Sequence, residues 1–346
     1  MNPIRDAREI LVFRALMLGD WLCATPALRA LRALAPQARI VLCGLPWTAE
    51  LAARLSSVDE FLEFPGHPAL PERPVSPAVL ARFVDQVRQR RFDVVVQMHG
   101  SGSVVNPLIA SFDAGWTAGF ALPQTAGLLD LPVRWPDRGT EIERCLALTD
   151  ALGAPPLAMQ LDFPLSDTDR QRASRLLDEA GVRGPFAIVH PGSQLPSRRW
   201  LPERFALVAE EVARRGLAVV LTGSSGEASI ASAVRSACRS PVHELTGRTT
   251  LGDLAALVEA ATLVVANDTG ISHVAAAVRT PSVIVACGSD VKRWAPLDWR
   301  LHRVHWAPSP CRPCSHASCP TAHECATGVP AYEVVRSSLE LLRSHR

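Results

Sequence analysis

The sequence predicts an α/β protein made of two successive halves, each a parallel sheet flanked by helices. Three observations carry this. Short apolar, β-branched runs recur with helical patterns between them. A proline-bearing stretch separates two such series, and several strands end in polar turns that hold glycine. Runs of this kind read as strands buried on both faces of a parallel sheet, and their alternation with helices argues for βαβ units.

In the first half, strands are expected over residues 10–14, 40–43 and 93–98. Thr25-Pro26 reads as an N-cap and first helical residue, opening a helix that carries Leu28, Leu31 and Leu34 at helical spacing. His99-Gly100-Ser101-Gly102-Ser103 is a polar loop after the third strand; residues 64–77 and 116–136 read as mostly loop, and 141–152 as helix. Ala154-Pro155-Pro156 through Pro164 reads as a linker and expected hinge, so the domains are taken as 1–160 and 161–346. The second half predicts a charged helix over 167–180, then strands at 186–190, 217–222, 242–246, 263–266 and 282–286. Helices at 202–215, 227–238, 251–260 and 271–278 connect them, which makes a Rossmann-like half in its own right. An amphipathic helix over 332–343 is free to pack back across the domains.

Composition excludes several classes. The 346 residues carry 36 Lys+Arg against 34 Asp+Glu, a net charge of +2, with Lys292 the only lysine. One tyrosine and 5% aromatic residues offer no stacking platform for single strands, so no nucleic-acid partner is expected. No apolar run approaches the ~18 residues of a membrane helix. The mixed charges of Met1–Glu9 do not read as a signal peptide, and a cytoplasmic location is expected. There is neither a GxGxxG after the first strand nor a GxxxxGK[ST], which counts against dinucleotide oxidoreductases and P-loop NTPases. Of nine cysteines, four cluster as Cys311-x2-Cys314-x4-Cys319-x5-Cys325. In a reducing compartment such spacing fits either a structural Zn or Fe site or reduced structural thiols.

Polar turns after strands supply the candidate chemistry. Thr262–Val278, TLVVANDTGISHVAAAV, runs from strand through Asn267-Asp268-Thr269-Gly270 into a helix. The unpaired amides and positive dipole of such a helix start favour a phosphate or diphosphate. His190-Pro191-Gly192-Ser193 leads to Arg198, whose guanidinium can grip a diphosphate with two donors. Gly223-Ser224-Ser225-Gly226-Glu227 is a third such turn, with Glu227 placed to bind ribose hydroxyls or to favour the helix start. In the first half, Gly19-Asp20 follows a strand, where a carboxylate can take a proton from a hydroxyl or cap a helix. His99, Ser101 and Asn106 lie after another strand as candidate acceptor contacts beside Gly19; Arg14, Arg29 and Arg32 could meet a phosphorylated lipid-sugar or simply be solvated.

RALMLGDWLCATPALRALR resembles the N-terminal motif of the ADP-heptose:lipopolysaccharide heptosyltransferases. FAIVHPGSQLPSRRWLPERF, VVLTGSSGE, LTGRTTLGDLAALVEAATLVVANDTGISHVAAA and CRPCSHASCP are similar to its C-terminal motifs, in the family's order. The resemblance is strong over 186–290 and weak over 45–160. It implies a GT-B architecture, two Rossmann-like domains whose sheets face a cleft, with donor bound C-terminally and acceptor N-terminally. It further implies inverting transfer of a heptose from ADP-heptose to a lipopolysaccharide-core or related glycolipid acceptor, with no cofactor required for catalysis. Peripheral contact with the cytoplasmic face of the inner membrane fits such an acceptor. By resemblance Asp20 is the general base, and Arg198 stands where many members have a phosphate-contacting lysine. Glu227 is the ribose-binding acid and Thr249 lies near the adenine. Asp268, Thr269 and Gly270 match the turn that holds the diphosphate and sugar, with His273 one helical turn on, while the Gly192 and Ser193 amides suit a diphosphate by their own chemistry beside Arg198.

Overall fold

The computed structural model describes residues 3–344. The chain divides into two compact units, Met1–Pro164 and Leu165–Arg346. In the first, β1 (Glu9–Phe13), β2 (Arg39–Gly44), β3 (Glu60–Glu63), β4 (Val94–Gln97), β5 (Trp116–Ala121) and β6 (Leu131–Arg134) form one parallel sheet in the order β3-β2-β1-β4-β5-β6. In the second, β7 (Phe186–His190), β8 (Ala218–Leu221), β9 (Val242–Glu244), β10 (Leu263–Asn267), β11 (Ser282–Val285) and β12 (His302–His305) are ordered β12-β11-β10-β7-β8-β9. Counted from its own first strand, each sheet follows the Rossmann order 3-2-1-4-5-6. The direction of strand addition therefore reverses between β1 and β4, and again between β7 and β10. Ligands of such sheets bind outside the carboxyl ends of the strands at that switch point, so the fold nominates one place in each unit.

Each sheet is buried because its strands are apolar on both faces: Ile10, Leu11, Val12 and Phe13 in β1, and Leu263, Val264, Val265 and Ala266 in β10, are wholly enclosed. Four strands depart from the expected loops and gaps. β5 is WTAGFA, whose small residues carry little strand signal; Gly119 is required there, since a Cβ would lie 2.5 Å from Gln97 Cβ. β6 contains Pro132, which lacks an N–H for the ladder and is tolerated on this sheet edge. β3 and β12 are also edge strands, rich in charge or histidine.

A helix over Pro77–Arg90, with Pro at its start and the left-handed Arg91 at its end, fills a stretch for which no element was expected. The first long helix starts earlier than Thr25-Pro26 indicates, running Leu18–Leu34 with Pro26 inside it. Pro26 has no N–H to give the carbonyl of Leu22, four residues back. Thr25 Oγ1 donates to that carbonyl instead (2.7 Å), which is how the helix absorbs the proline.

The unit boundary falls after Pro164 and not at 160, because the segment between is tied down. Leu161 and Phe163 are buried, the Asp162 N–H donates to Thr25 Oγ1 (2.9 Å), and the Asp162 carboxylate pairs with Arg29. Arg29 is thereby occupied within the fold, as are Arg32 by Asp59 and Arg14 by Glu141, so none of the three is a solvated basic face. The final helix, Ala331–Ser344, packs on helix Pro202–Ala213 and on β10–β12, and its Val334, Leu341 and Leu342 complete the second unit's core. Among the described residues no helix is long and apolar enough to cross a membrane.

Candidate functional site

At the first unit's switch point, β1 and β4 deliver the two loops that carry the expected acceptor residues. Gly19 and Asp20 occupy the first turn of helix Leu18–Leu34, both half-buried. A carboxylate there is favoured by the helix dipole. His99 follows β4 and is buried; its Nδ1 accepts the Ala15 N–H (3.1 Å), which leaves the ring proton on Nε2. Burial, and then the nearby Arg14 guanidinium, push the His99 imidazole down to about 3. His99 is therefore neutral at physiological pH and can act as an Nε2–H donor. Ser101 is half-exposed between the left-handed Gly100 and Gly102.

Asn106 is wholly enclosed. Its Oδ1 accepts Gln97 Nε2 (2.8 Å) and its Nδ2 donates to Phe120 O (3.0 Å), so the fold takes up its capacity and it braces the loop from below. Gly102 permits this packing, since a Cβ there would meet Asn106 Nδ2 at 2.3 Å. The reason Asn106 reads as a contact in the sequence is its polarity after a strand; its burial is visible only in three dimensions.

At the second unit's switch point, Asn267 binds the neighbouring turns together. Its Nδ2 donates to Pro191 O (2.7 Å) and Gly192 O (3.3 Å), and its Oδ1 accepts the Trp200 N–H (2.9 Å). The Gly192-Ser193 turn after β7 is thereby fixed to the Asp268-Thr269-Gly270 turn after β10. Thr269 precedes helix Gly270–Ala277, whose first amides have no partner within the helix. Thr269 Oγ1 and Arg198 Nε are both buried without a hydrogen-bond partner among the described residues. Ser289 Oγ donates to Asp268 Oδ2 (2.5 Å), which turns that carboxylate toward β11. Buried orphan donors beside open amides are the chemistry of an anion site with hydroxyl contacts.

Glu227 closes the third turn. Its Oε2 accepts both the Ser224 N–H and the Ser224 hydroxyl, each at 2.8 Å, so it caps the short helical turn it ends. Its carboxylate also lies against Gly192, where an added Cβ would stand 2.2 Å from Oε1. Glu227 and the β7 turn are thus neighbours only because residue 192 is glycine. Gly192→Ala is expected to displace the flexible carboxylate while the fold holds. On the ribose-binding role that the resemblance implies for Glu227, loss of a charged hydrogen bond costs about 1.5–3 kcal/mol, and Kd for ADP by calorimetry should rise roughly 10- to 150-fold. An unchanged Kd would remove Glu227 from nucleotide binding.

Thr249 is half-buried after β9, directly before the Thr250 N-cap of helix Leu251–Ala260. Its turn reaches the Glu227 turn through Gly247 N–H to Gly223 O (2.8 Å). His273 is buried in helix Gly270–Ala277, edge-on to Trp294 with ring centroids 6.1 Å apart. It is a packed helix residue behind the turn.

The four-cysteine segment is not arranged as a Zn or Fe site. Among the described residues no three His, Cys, Asp or Glu side chains converge to hold a metal. Cys325 is drawn into the second core with Cys287, Cys314 packs on Gly288, and Cys311 and Cys319 meet Ser309 and Thr321 hydroxyls. What the segment does is brace the donor-side turns. Cys314 O accepts Arg198 Nη2 (3.1 Å), and the Cys314 N–H donates to Gly288 O (2.7 Å). Arg312 donates to Ala286 O (2.8 Å), Ala307 O (3.0 Å) and Ser289 O (2.5 Å). Asn267 and Arg312 stand inside motifs that carry the resemblance, but Ser289, Gln97 and Glu141 have no sequence signal; distant segments bring them to the switch points.

Several buried histidines set an acid limit on stability. His99 is held down to about 3 and His302 to about 4, in both cases chiefly by burial. His190 and His305 are lowered for the same reason. The unfolded chain, with ordinary histidines near 6.5, binds more protons below that pH, so stability is full above about 6.5 and lost as pH falls through 6 and 5. By pH 5, His99 and His302 should each cost roughly 2 kcal/mol. A urea midpoint unchanged between pH 7 and pH 5 would contradict this.

Paired Rossmann-ordered units with polar turns at both switch points are the parts of the GT-B architecture. The chain belongs to glycosyltransferase family 9 (heptosyltransferase), whose profile it matches over residues 80–324. It is 28% identical to lipopolysaccharide heptosyltransferase 2 of Salmonella typhimurium over 315 residues, 86% of this chain and 87% of that protein. With lipopolysaccharide heptosyltransferase 3 of Escherichia coli K12 it shares 28% identity over 218 residues, spanning 60% of this chain and 61% of that relative. The fold is that of the glycosyl transferase family 9 protein from Veillonella parvula, with a TM-score of 0.82 at 20% identity over 99% of both chains. It also matches E. coli ADP-heptose LPS heptosyltransferase II, with a TM-score of 0.76 at 22% identity over 97% of this chain and 99% of that one.

Proposed function

We propose that this glycosyltransferase moves a heptose from ADP-heptose to a lipopolysaccharide-core acceptor in one inverting displacement. The observation that carries the donor half is the joined pair of turns at the β7/β10 switch point, with Arg198 Nε and Thr269 Oγ1 buried and unpartnered beside it. In this reading the amides of Gly192, Ser193, Thr269 and Gly270 and the Arg198 guanidinium receive the diphosphate. Asp268, turned aside by Ser289, is kept for sugar hydroxyls, since a carboxylate facing a diphosphate would repel it. Glu227 takes the ribose and Thr249 borders the base. Asp20 accepts the acceptor hydroxyl's proton as the nucleotide leaves, and Arg198 with the helix start offsets the charge developing on ADP. Those groups supply the leaving-group stabilisation themselves, so transfer is expected without an added divalent cation. His99 and Ser101 face the acceptor, an amphiphile that the enzyme meets at the membrane surface.

The reading is tested by thermal shift against ADP, UDP, GDP, CMP and NAD. A ligand at a hundredfold excess over its Kd stabilises the native state by about 2.7 kcal/mol. ADP alone is expected to shift the transition. A shift with UDP or GDP in its place would discard the heptose donor and keep a transferase of another nucleotide-sugar, and a shift with NAD alone would overturn the reading.

A further inference from the structure

Arg14 is wholly buried directly beneath the turn that carries Asp20, and it gathers three segments on one guanidinium. Its Nε and Nη2 donate to the Asp20 carbonyl at 3.1 and 2.7 Å. Nη1 donates to the Met98 carbonyl at the exit of β4 (2.5 Å), and Nη2 also meets Glu141 Oε1 at 2.9 Å. Glu141 is equally buried and opens helix Glu141–Ala151, which packs on the helix that bears Asp20. The next residue, Ala15, gives its N–H to His99 Nδ1. The β1 exit, the β4 exit and the start of helix Glu141–Ala151 are thus held in one register by the buried pair.

A buried ion pair is a poor device for stability alone: apolar residues of equal volume commonly do as well or better. Its value lies in geometry, because a guanidinium holds carbonyls and a carboxylate in fixed directions. We propose that Arg14 and Glu141 are positioning residues for transfer: the pair fixes the Asp20 turn against the His99 loop, and Glu141 balances the guanidinium charge beside the Asp20 carboxylate. This rests on the reading of Asp20 as the base. The titratable and charged groups that interact with that carboxylate or with Arg14 are Glu141, the buried thiols Cys23 and Cys145, and His99; Cys23 is held protonated, chiefly by burial, and His99 is neutral.

Three variants, assayed in the full-length enzyme with ADP-heptose and core acceptor, test it. The paired replacement Arg14→Met with Glu141→Leu should stay folded and bind ADP as the native protein does, while kcat falls about 10²-fold, the scale of a 1 Å misplacement. Glu141→Gln, nearly isosteric, leaves the guanidinium unbalanced, so the acidic limb of kcat/KM should move down by about one pH unit. Arg14→Lys keeps the charge and loses the planar fork; kcat should fall with the acidic limb in place. A folded double variant with native kcat, or a Glu141→Gln enzyme whose acidic limb does not move, overturns the inference. Asp20→Asn run alongside separates the two levels. If it is inert while the Arg14 and Glu141 variants behave as native, only the positioning role falls; if Asp20→Asn is fully active, the base assignment and the positioning role fall together.

Discussion

Asp20→Ala is expected to lower kcat by roughly 10²–10⁴, the usual contribution of a positioned general base, with ADP affinity unchanged. The expectation rests on where the carboxylate sits. Asp20 lies in the first turn of helix Leu18–Leu34, at the switch point between β1 and β4, half-buried and held through its own carbonyl by Arg14. A residue whose main chain is clamped and whose side chain stands at a ligand-binding strand end is suited to meet a hydroxyl repeatedly in one geometry. The alanine variant keeps the helix, since Met17 precedes it without a side-chain cap and Asp20 is not the cap. Its melting temperature should therefore be close to native, which separates a chemical loss from an unfolded one. Turnover within a factor of a few of the native enzyme would remove Asp20 from the proton transfer.

The second large effect is expected at Arg198. Arg198→Met keeps much of the side-chain volume and removes the charge, and kcat/KM should fall about 10²–10³-fold, as when one preorganised donor to a developing anion is lost. Nη2 is spent on the Cys314 carbonyl, whereas Nε is buried with no partner among the described residues. Arg198→Lys should retain more activity than the methionine variant, because an ammonium supplies charge without the planar grip. Steady-state kinetics with the donor varied will read this directly. A methionine variant with native kcat/KM would mean that the leaving diphosphate is neutralised elsewhere.

The second unit was legible in the sequence because its strands, such as LVVAN in β10, are buried on both faces and read as plain apolar runs. Its turns carry their chemistry in consecutive residues: Gly192-Ser193, Asp268-Thr269-Gly270. The first unit was less legible for physical reasons. β5 is built around the small residues Ala118 and Gly119, and β3 and β6 are edge strands with charge or proline, so neither set shows the apolar run that marks a central strand. Thr25-Pro26 looked like a helix start because the sequence does not show that the Thr25 hydroxyl can serve the carbonyl that proline leaves unpaired. Polarity singles out Asn106 and spacing the four cysteines, but burial decides both, and it sends Asn106 into a brace and Cys325 into a core. Arg14 looked like a surface cation, and only the fold supplies Glu141 from 127 positions away.

The transfer itself is tested by ADP release from purified ADP-heptose, with and without a lipopolysaccharide-core acceptor lacking its outer heptose. The product glycoside would be examined by NMR for its anomeric configuration. ADP release that depends on the acceptor, yields an inverted heptoside and is abolished by Asp20→Ala is the predicted result. Release that ignores the acceptor, or a product with retained configuration, would contradict the transfer mechanism set out here.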